Sequence, residues 1–127
     1  MSDKYRFSVT CNAEKRIVII RVTGPMPSAM VIDKFLETYR SLQAPWSYRR
    51  LIDYRRFEGL INYEDIERFS RSWADLICGN TTGSRVAVVT LDPLELARPS
   101  TVNHLFPNDV IRAFDSVDQA LDWFDEP

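Results

Sequence analysis

A cluster of charge follows a short apolar run near the middle of the chain: Asp53-Tyr54-Arg55-Arg56-Phe57. An unpaired carboxylate at the end of a buried strand is costly, so Asp53 should accept hydrogen bonds from the next loop or pair with Arg55 or Arg56. The two arginines could hold an anionic group, and the aromatic side chains could line an apolar cleft. A solvated loop with scattered salt bridges is the structural alternative.

Few other residues offer chemistry of their own. His104 is the only histidine, and no Ser/His/Asp set, Cys/His pair or pair of carboxylates can be assembled around it. Asp92 and Asp115 are accounted for by helix starts. Cys11 and Cys78 have no metal-type spacing, and Cys78, at the apolar end of a helical pattern, is expected to be a small buried side chain. The sequence therefore predicts no enzyme, no cofactor and no metal site.

Composition indicates one ordinary globular domain over residues 1–127, with 45% hydrophobic and 27% charged residues. A net charge of −2 argues against a general nucleic-acid binder. No stretch approaches the ~18 apolar residues that a membrane span needs, and the N-terminus lacks the apolar core of a signal peptide. The expected location is the cytoplasm, with both thiols reduced.

Five segments have strand patterns. Residues 5–11 alternate between apolar and polar, and residues 17–22 follow after a short turn, which predicts an antiparallel hairpin. Residues 50–54, 85–91 and 109–114 are apolar runs without clear alternation, which is typical of strands covered by helices on both faces.

Four helical segments follow the second to fifth strands. They are predicted over residues 32–42, from Asn62 to Gly79, from Asp92, and from Ser116. Asn62 is expected to be the N-cap of the second helix, with Asp65 completing a capping box. Pro99 should leave the third helix short or broken.

The order β-β-α-β-α-β-α-β-α predicts an α/β fold: a five-stranded mixed, mostly parallel sheet with about four helices and an antiparallel first strand at or near an edge. Open parallel sheets bind ligands outside the carboxyl ends of their strands. The candidate partner- or ligand-binding residues near those ends are Met26, Asp53, Tyr54, Arg55, Arg56, Phe57 and Asn62.

This element order, together with the segments RIVIIRVTG, RRLIDYR, RVAVVT and VIRAFDSVDQALDWF, resembles the STAS-like family. The nearest resemblance is to its SpoIIAA-like branch of small single-domain bacterial proteins, and it covers nearly the whole chain. It rests on element order and apolar spacing rather than on catalytic residues.

The resemblance implies a regulatory protein-interaction module. The best-understood members are anti-sigma-factor antagonists, which are non-enzymatic and bind a kinase that phosphorylates a Ser or Thr at the start of the helix after the third strand. Asn62 stands there in this chain and cannot be phosphorylated, and Ser28, Ser70 and Ser72 do not match the position. The expected function is therefore partner binding through residues 53–69 without the usual switch, and a homodimer is left open.

The alternative is a small-molecule or lipid-type carrier or sensor. An apolar or anionic ligand would sit in a cleft at the strand ends lined by Met26, Tyr54 and Phe57, with Arg55 or Arg56 at its head group. The general plan of the fold is similar to lipid-binding Sec14-type domains.

Overall fold

Five strands form one sheet, in the same order as they occur along the chain. The computed structural model describes residues 4–127. The strands are β1 (Arg6–Asn12), β2 (Ile17–Gly24), β3 (Arg49–Phe57), β4 (Arg85–Val89) and β5 (Val110–Phe114). β1 is antiparallel to β2, and every later pair is parallel. The predicted hairpin and the mixed sheet with its antiparallel strand at one edge are confirmed.

Five α-helices accompany the sheet in the part of the chain described. They are α1 (Ser28–Arg40), α2 (Tyr63–Ile77), α3 (Pro93–Ala97), α4 (Pro99–Val102) and α5 (Val117–Phe124). Single 3-10 turns cover Pro45–Ser47 and Asn103–Leu105. The count exceeds the predicted four because Pro99, which has no N–H to donate, divides the third helical segment into α3 and α4.

The helices that connect parallel strands lie on one face of the sheet, as crossovers of one hand require. Val31 of α1, Trp73 of α2 and Phe106, which follows α4, share a core with Val18 and Ile20 of β2. The opposite face is covered by α5, whose Ala120, Trp123 and Phe124 pack on Leu51, Ala87 and Val89. β3 and β4 are therefore covered on both faces, as their apolar sequences predicted.

The start of α2 differs from the predicted capping box. Asn62 is the N-cap residue, but its side chain makes no capping hydrogen bond. The Ser28 hydroxyl instead accepts a hydrogen bond from the Asn62 N–H (2.9 Å) and donates one to Asp65 Oδ2 (2.6 Å). A serine from the start of α1 thus relays the contact that Asp65 would otherwise make directly, and it joins the two helix starts.

The expectation that Cys78 is buried is wrong. α2 ends at Ile77, and Cys78 is its C-cap in the left-handed conformation (φ +50°), followed by Gly79 at φ +77°. Because the left-handed turn leads the chain out of the helix, the buried stripe stops one residue earlier, and the thiol is exposed. Cys11 is exposed as well.

Candidate functional site

The loops that follow β3 and β4 meet at the carboxyl edge of the sheet. Gly59 from the first loop and Leu91 from the second line one shallow pocket, together with Tyr54, Arg55 and Phe57. The structure therefore brings three of the predicted site residues into one place. The parallel pairing of β3 and β4 explains this arrangement, because both strands run towards the same edge of the sheet.

Asp53 lies at this edge and is paired. Its Oδ1 accepts hydrogen bonds from the backbone N–H of Arg55 (3.1 Å) and from Arg55 Nε (3.0 Å), and its Oδ2 accepts from Arg55 Nη2 (2.9 Å). Arg21 on neighbouring β2 adds a second cation, with its Nε 3.4 Å from Oδ2. Of the two partners predicted for Asp53, Arg55 is the one found.

This environment keeps Asp53 ionised. Burial alone would raise the pKa of the carboxyl, but the hydrogen bonds from Arg55 and the charges of Arg55 and Arg21 lower the pKa below its ordinary value. Arg55 is held in place by the same contacts, so an anionic ligand would have to compete with Asp53 for its guanidinium.

Arg56 is different from Arg55. Its side chain is exposed, and within residues 4–127 it has no ion pair. It is therefore available to an external anion or to a carboxylate of a partner. Arg50, at the other end of β3, is buried instead.

The remaining candidate residues are spread around this edge. Tyr54 is buried and its ring stacks at 5.2 Å from that of Phe57. Met26 is buried in the main core and does not line the pocket beside Tyr54 and Phe57; it borders a separate shallow cleft against β1. Asn62 is exposed at the start of α2.

Three leucines at this edge were missed by the sequence reasoning. Leu60 lies in the loop after β3, while Leu91 and Leu94 lie at and just after the end of β4; all three are more than half exposed. We call Leu60, Leu91 and Leu94 the leucine edge. The available signal was their position: apolar residues beside turn and cap residues, outside any buried helical stripe.

Other polar residues have the structural roles that were predicted for them. Asp92 caps α3 by accepting from the Leu94 N–H (3.0 Å), and Ser116 caps α5 by accepting from the Gln119 N–H (3.3 Å). His104 is exposed, with its Nε2 3.3 Å from the Tyr63 hydroxyl.

Residues 4–127 contain neither a metal-ligand cluster nor a membrane-spanning helix. No three His, Cys, Asp or Glu side chains are grouped closely enough to hold a metal ion. None of the helices in this part of the chain has the length and apolar character needed to cross a membrane.

Two solved structures share this architecture. The chain is similar to an uncharacterized protein of the DUF3478 family with a SpoIIAA-like fold from Shewanella loihica PV-4, at 16% identity over 98% of both chains, with a TM-score of 0.63. It is also similar to an anti-sigma factor antagonist from Mycobacterium paratuberculosis, at 14% identity over 96% of this chain and 95% of that one, with a TM-score of 0.52.

The protein therefore has the SpoIIAA-like fold that the sequence resemblance to STAS-like proteins implied. No protein-family profile matches the chain, and no curated protein matches it. At this level of identity the likeness establishes the fold, and function has to be argued from the site.

Proposed function

We propose that the protein is a non-enzymatic regulatory module that binds a protein partner at the carboxyl edge of its sheet, without a Ser or Thr phosphorylation switch. The observation that carries the proposal is the leucine edge: Leu60 is 56% exposed, Leu91 65% and Leu94 74%. Large apolar side chains grouped on a surface mark interaction sites.

Arg56 specifies part of the partner's chemistry. Protein interfaces combine an apolar centre with a polar rim, and an exposed arginine that no described residue pairs with fits such a rim. The expected partner surface presents apolar side chains to the leucines and a carboxylate to Arg56. The similarity to an anti-sigma factor antagonist supports a protein partner over other ligand classes.

Asn62 supports the absence of the switch. It begins α2, the helix after the third strand, and offers an amide rather than a hydroxyl. The nearby Ser28 hydroxyl is buried and makes two hydrogen bonds, so it is a poor substrate for a kinase. Regulation through this edge would then depend on partner availability. As part of the same proposal the protein works in the cytoplasm, where its two free cysteines stay reduced.

Paired variants test the proposal. The wild-type protein is used to capture its partner from cells, the partner is purified, and the Kd is measured by calorimetry. Replacing Leu91 and Leu94 with serine should weaken binding at least about tenfold, as loss of central apolar contacts does. Val110→Ser is the matched control, since Val110 is 56% exposed at the start of β5 and so at the amino edge of the sheet.

The outcome is decided by comparison with the control. Binding that survives Leu91→Ser/Leu94→Ser, or that falls equally with Val110→Ser, contradicts the proposal. Equal melting temperatures of the three proteins exclude unfolding as the cause. A purification in which the captured protein turns out to be a second copy of the chain would assign the edge to a homodimer instead.

The carrier alternative with an anionic head group stays a prediction. Arg55 would have to exchange Asp53 for the ligand, so binding should be weak unless Arg56 supplies the charge. Native mass spectrometry of gently purified protein checks it: additional mass that is lost on denaturation supports a carrier, and the bare chain mass counts against one.

A further inference from the structure

A cavity of about 110 Å³ lies between the sheet and the helices on its first face. Its lining is mainly apolar and includes Ile52, Phe69, Val88 and Ile111. An engineered apolar cavity of about 150 Å³ in another protein takes up benzene. The space here therefore suits a single six-membered ring or a molecule of similar size.

Two tyrosines border this space. Tyr39 and Tyr54 both line the cavity and are only 1% and 8% exposed. Among residues 4–127 neither hydroxyl has a hydrogen-bond partner, and neither oxygen is fully sealed from accessible space. Buried tyrosines usually find a partner for the O–H, and a guest in the cavity that both side chains line can complete these two hydroxyls.

The charged groups around the cavity neutralise one another. Arg50 Nη2 lies 2.7 Å from Asp109 Oδ1, and Arg98 Nη2 lies 2.8 Å from Glu95 Oε1; all four residues line the cavity. Since each cation already has an anion, a charged guest would gain no counter-ion. The occupant should therefore be neutral.

Both hydroxyls remain protonated at neutral pH. Burial raises the pKa of Tyr39 to about 12, although Arg50 opposes the shift, and burial raises the pKa of Tyr54 as well. Each can thus donate one hydrogen bond and accept another.

We propose that this cavity binds a small neutral ring compound carrying one hydroxyl group, such as a simple phenol, with the ring in the apolar part and the hydroxyl bonded to Tyr39 and Tyr54. The proposal does not rest on partner binding, because it uses no residue of the leucine edge; Tyr54 lines both this cavity and the shallow pocket at that edge. Access is expected along the wall that contains Pro99, Val102 and Phe106, which consists of short helical segments that open locally at low cost.

Fluorine NMR on the intact protein tests this with 4-fluorophenol as the probe and fluorobenzene as the matched probe without a hydroxyl. The wild-type protein should bind 4-fluorophenol saturably. Tyr54→Phe should weaken that binding about fivefold, the effect of one hydrogen bond, and leave fluorobenzene unchanged. Val88→Phe, which fills the cavity, should abolish binding of both probes.

Three results would overturn the proposal. They are a lack of saturable 4-fluorophenol binding, binding that survives Val88→Phe in a folded variant, and equal affinity for both probes with no effect of Tyr54→Phe. If Val88→Phe does not fold, fluorine–proton Overhauser contacts in the wild type decide instead. Contacts to the methyl groups of Ile52 and Val88 support the site, and contacts elsewhere contradict it.

Discussion

In the middle of β3, Asp53 loses water on burial and gains hydrogen bonds and opposite charge from Arg55 and Arg21. The two arginines come from positions that a β-strand places near one another: Arg55 is two residues along the same strand, and Arg21 is the residue opposite on β2. Asp53 thus orders the last part of β3, which leads into the candidate site. Arg56, which forms no ion pair with a described residue, is left free for a partner.

Asp53→Asn is expected to lower the free energy of unfolding by about 1 kcal/mol at pH 7, a small value because both arginines are nearly half exposed. The folded pKa of Asp53 lies below its unfolded value of about 3.9, so the stabilisation is complete above that value and is lost as the pH falls through the folded pKa. Urea unfolding between pH 7 and pH 2 measures this.

The difference in free energy of unfolding between the wild type and Asp53→Asn should disappear at acid pH. Asp115→Asn is the control, since Asp115 is an exposed carboxylate with no ion pair in residues 4–127, and it should show almost no gap at any pH. If the free-energy difference caused by Asp53→Asn stays constant down to pH 2, the ionised Asp53 carboxylate is not the source of the stabilisation.

Ser28→Ala should destabilise the protein by about 1–2 kcal/mol, because it removes the hydroxyl that accepts from the Asn62 N–H and donates to Asp65. Chemical denaturation measures the loss. Ser70→Ala is the control, since the Ser70 hydroxyl donates only to the Glu67 carbonyl within its own helix. Equal effects of the two substitutions would show that the link between helix starts contributes nothing.

Between elements, Arg50 joins β3 to the segment before β5. Its guanidinium pairs with Asp109, which also accepts the Ser84 N–H at 2.9 Å, and it stacks on the Trp73 ring at 4.4 Å. The buried pair of Arg50 and Asp109 therefore contacts the segments before β4 and β5 and helix α2. This is also one end of the cavity proposed to bind a phenol.

Asp109→Asn should lower the free energy of unfolding by about 3 kcal/mol, because it leaves Arg50 charged and buried without its anion. Asp33→Asn is the matched control: its pair with Arg68 has the same type of contact at 2.9 Å but is exposed, so the loss should stay below about 1 kcal/mol. Denaturant midpoints of the two variants provide the comparison, and similar losses would be inconsistent with a buried pair.

Gly24 and Gly79 form a second matched pair at the scale of elements. Both have φ +77°, but a methyl group on Gly24 would lie 2.0 Å from the Lys4 carbonyl oxygen, whereas one on Gly79 would meet nothing within 4 Å. Gly79→Ala should cost about 1 kcal/mol from backbone strain alone. Gly24→Ala should lower the stability clearly more than Gly79→Ala. Equal melting temperatures of the two variants would contradict the close contact between Gly24 and the backbone at Lys4.

The elements that follow from local patterns could be predicted from the sequence. The hairpin, the buried strands and the break at Pro99 depend on residues that are neighbours in the chain. The side-chain partners could not be predicted, because they are distant in the chain: Ser28 and Asp65 are 37 positions apart, and Arg50 and Asp109 are 59 positions apart. The charge on Arg50 inside an apolar strand was the available sign that a buried anion would be needed.

For the molecule as a whole, the carboxyl edge and the interior have separate properties. The edge combines exposed leucines with a free arginine, and the interior holds a cavity with neutralised charges and two buried tyrosines in its lining. The exposed leucines and the cavity could not be predicted from composition, because both depend on which side of a strand or helix each residue faces. The candidate site at this edge stays a prediction, and the exposed leucines beside it were not foreseen from the sequence.

Site-specific photocrosslinking in living cells tests the central claim most directly. A photoreactive phenylalanine derivative is placed at Leu94, and the same group at Val110 serves as the control at the opposite edge. The proposed function predicts that Leu94 crosslinks to a distinct protein and that Val110 does not. An absence of crosslinks at Leu94, or the same products from both positions, would contradict partner binding at the leucine edge.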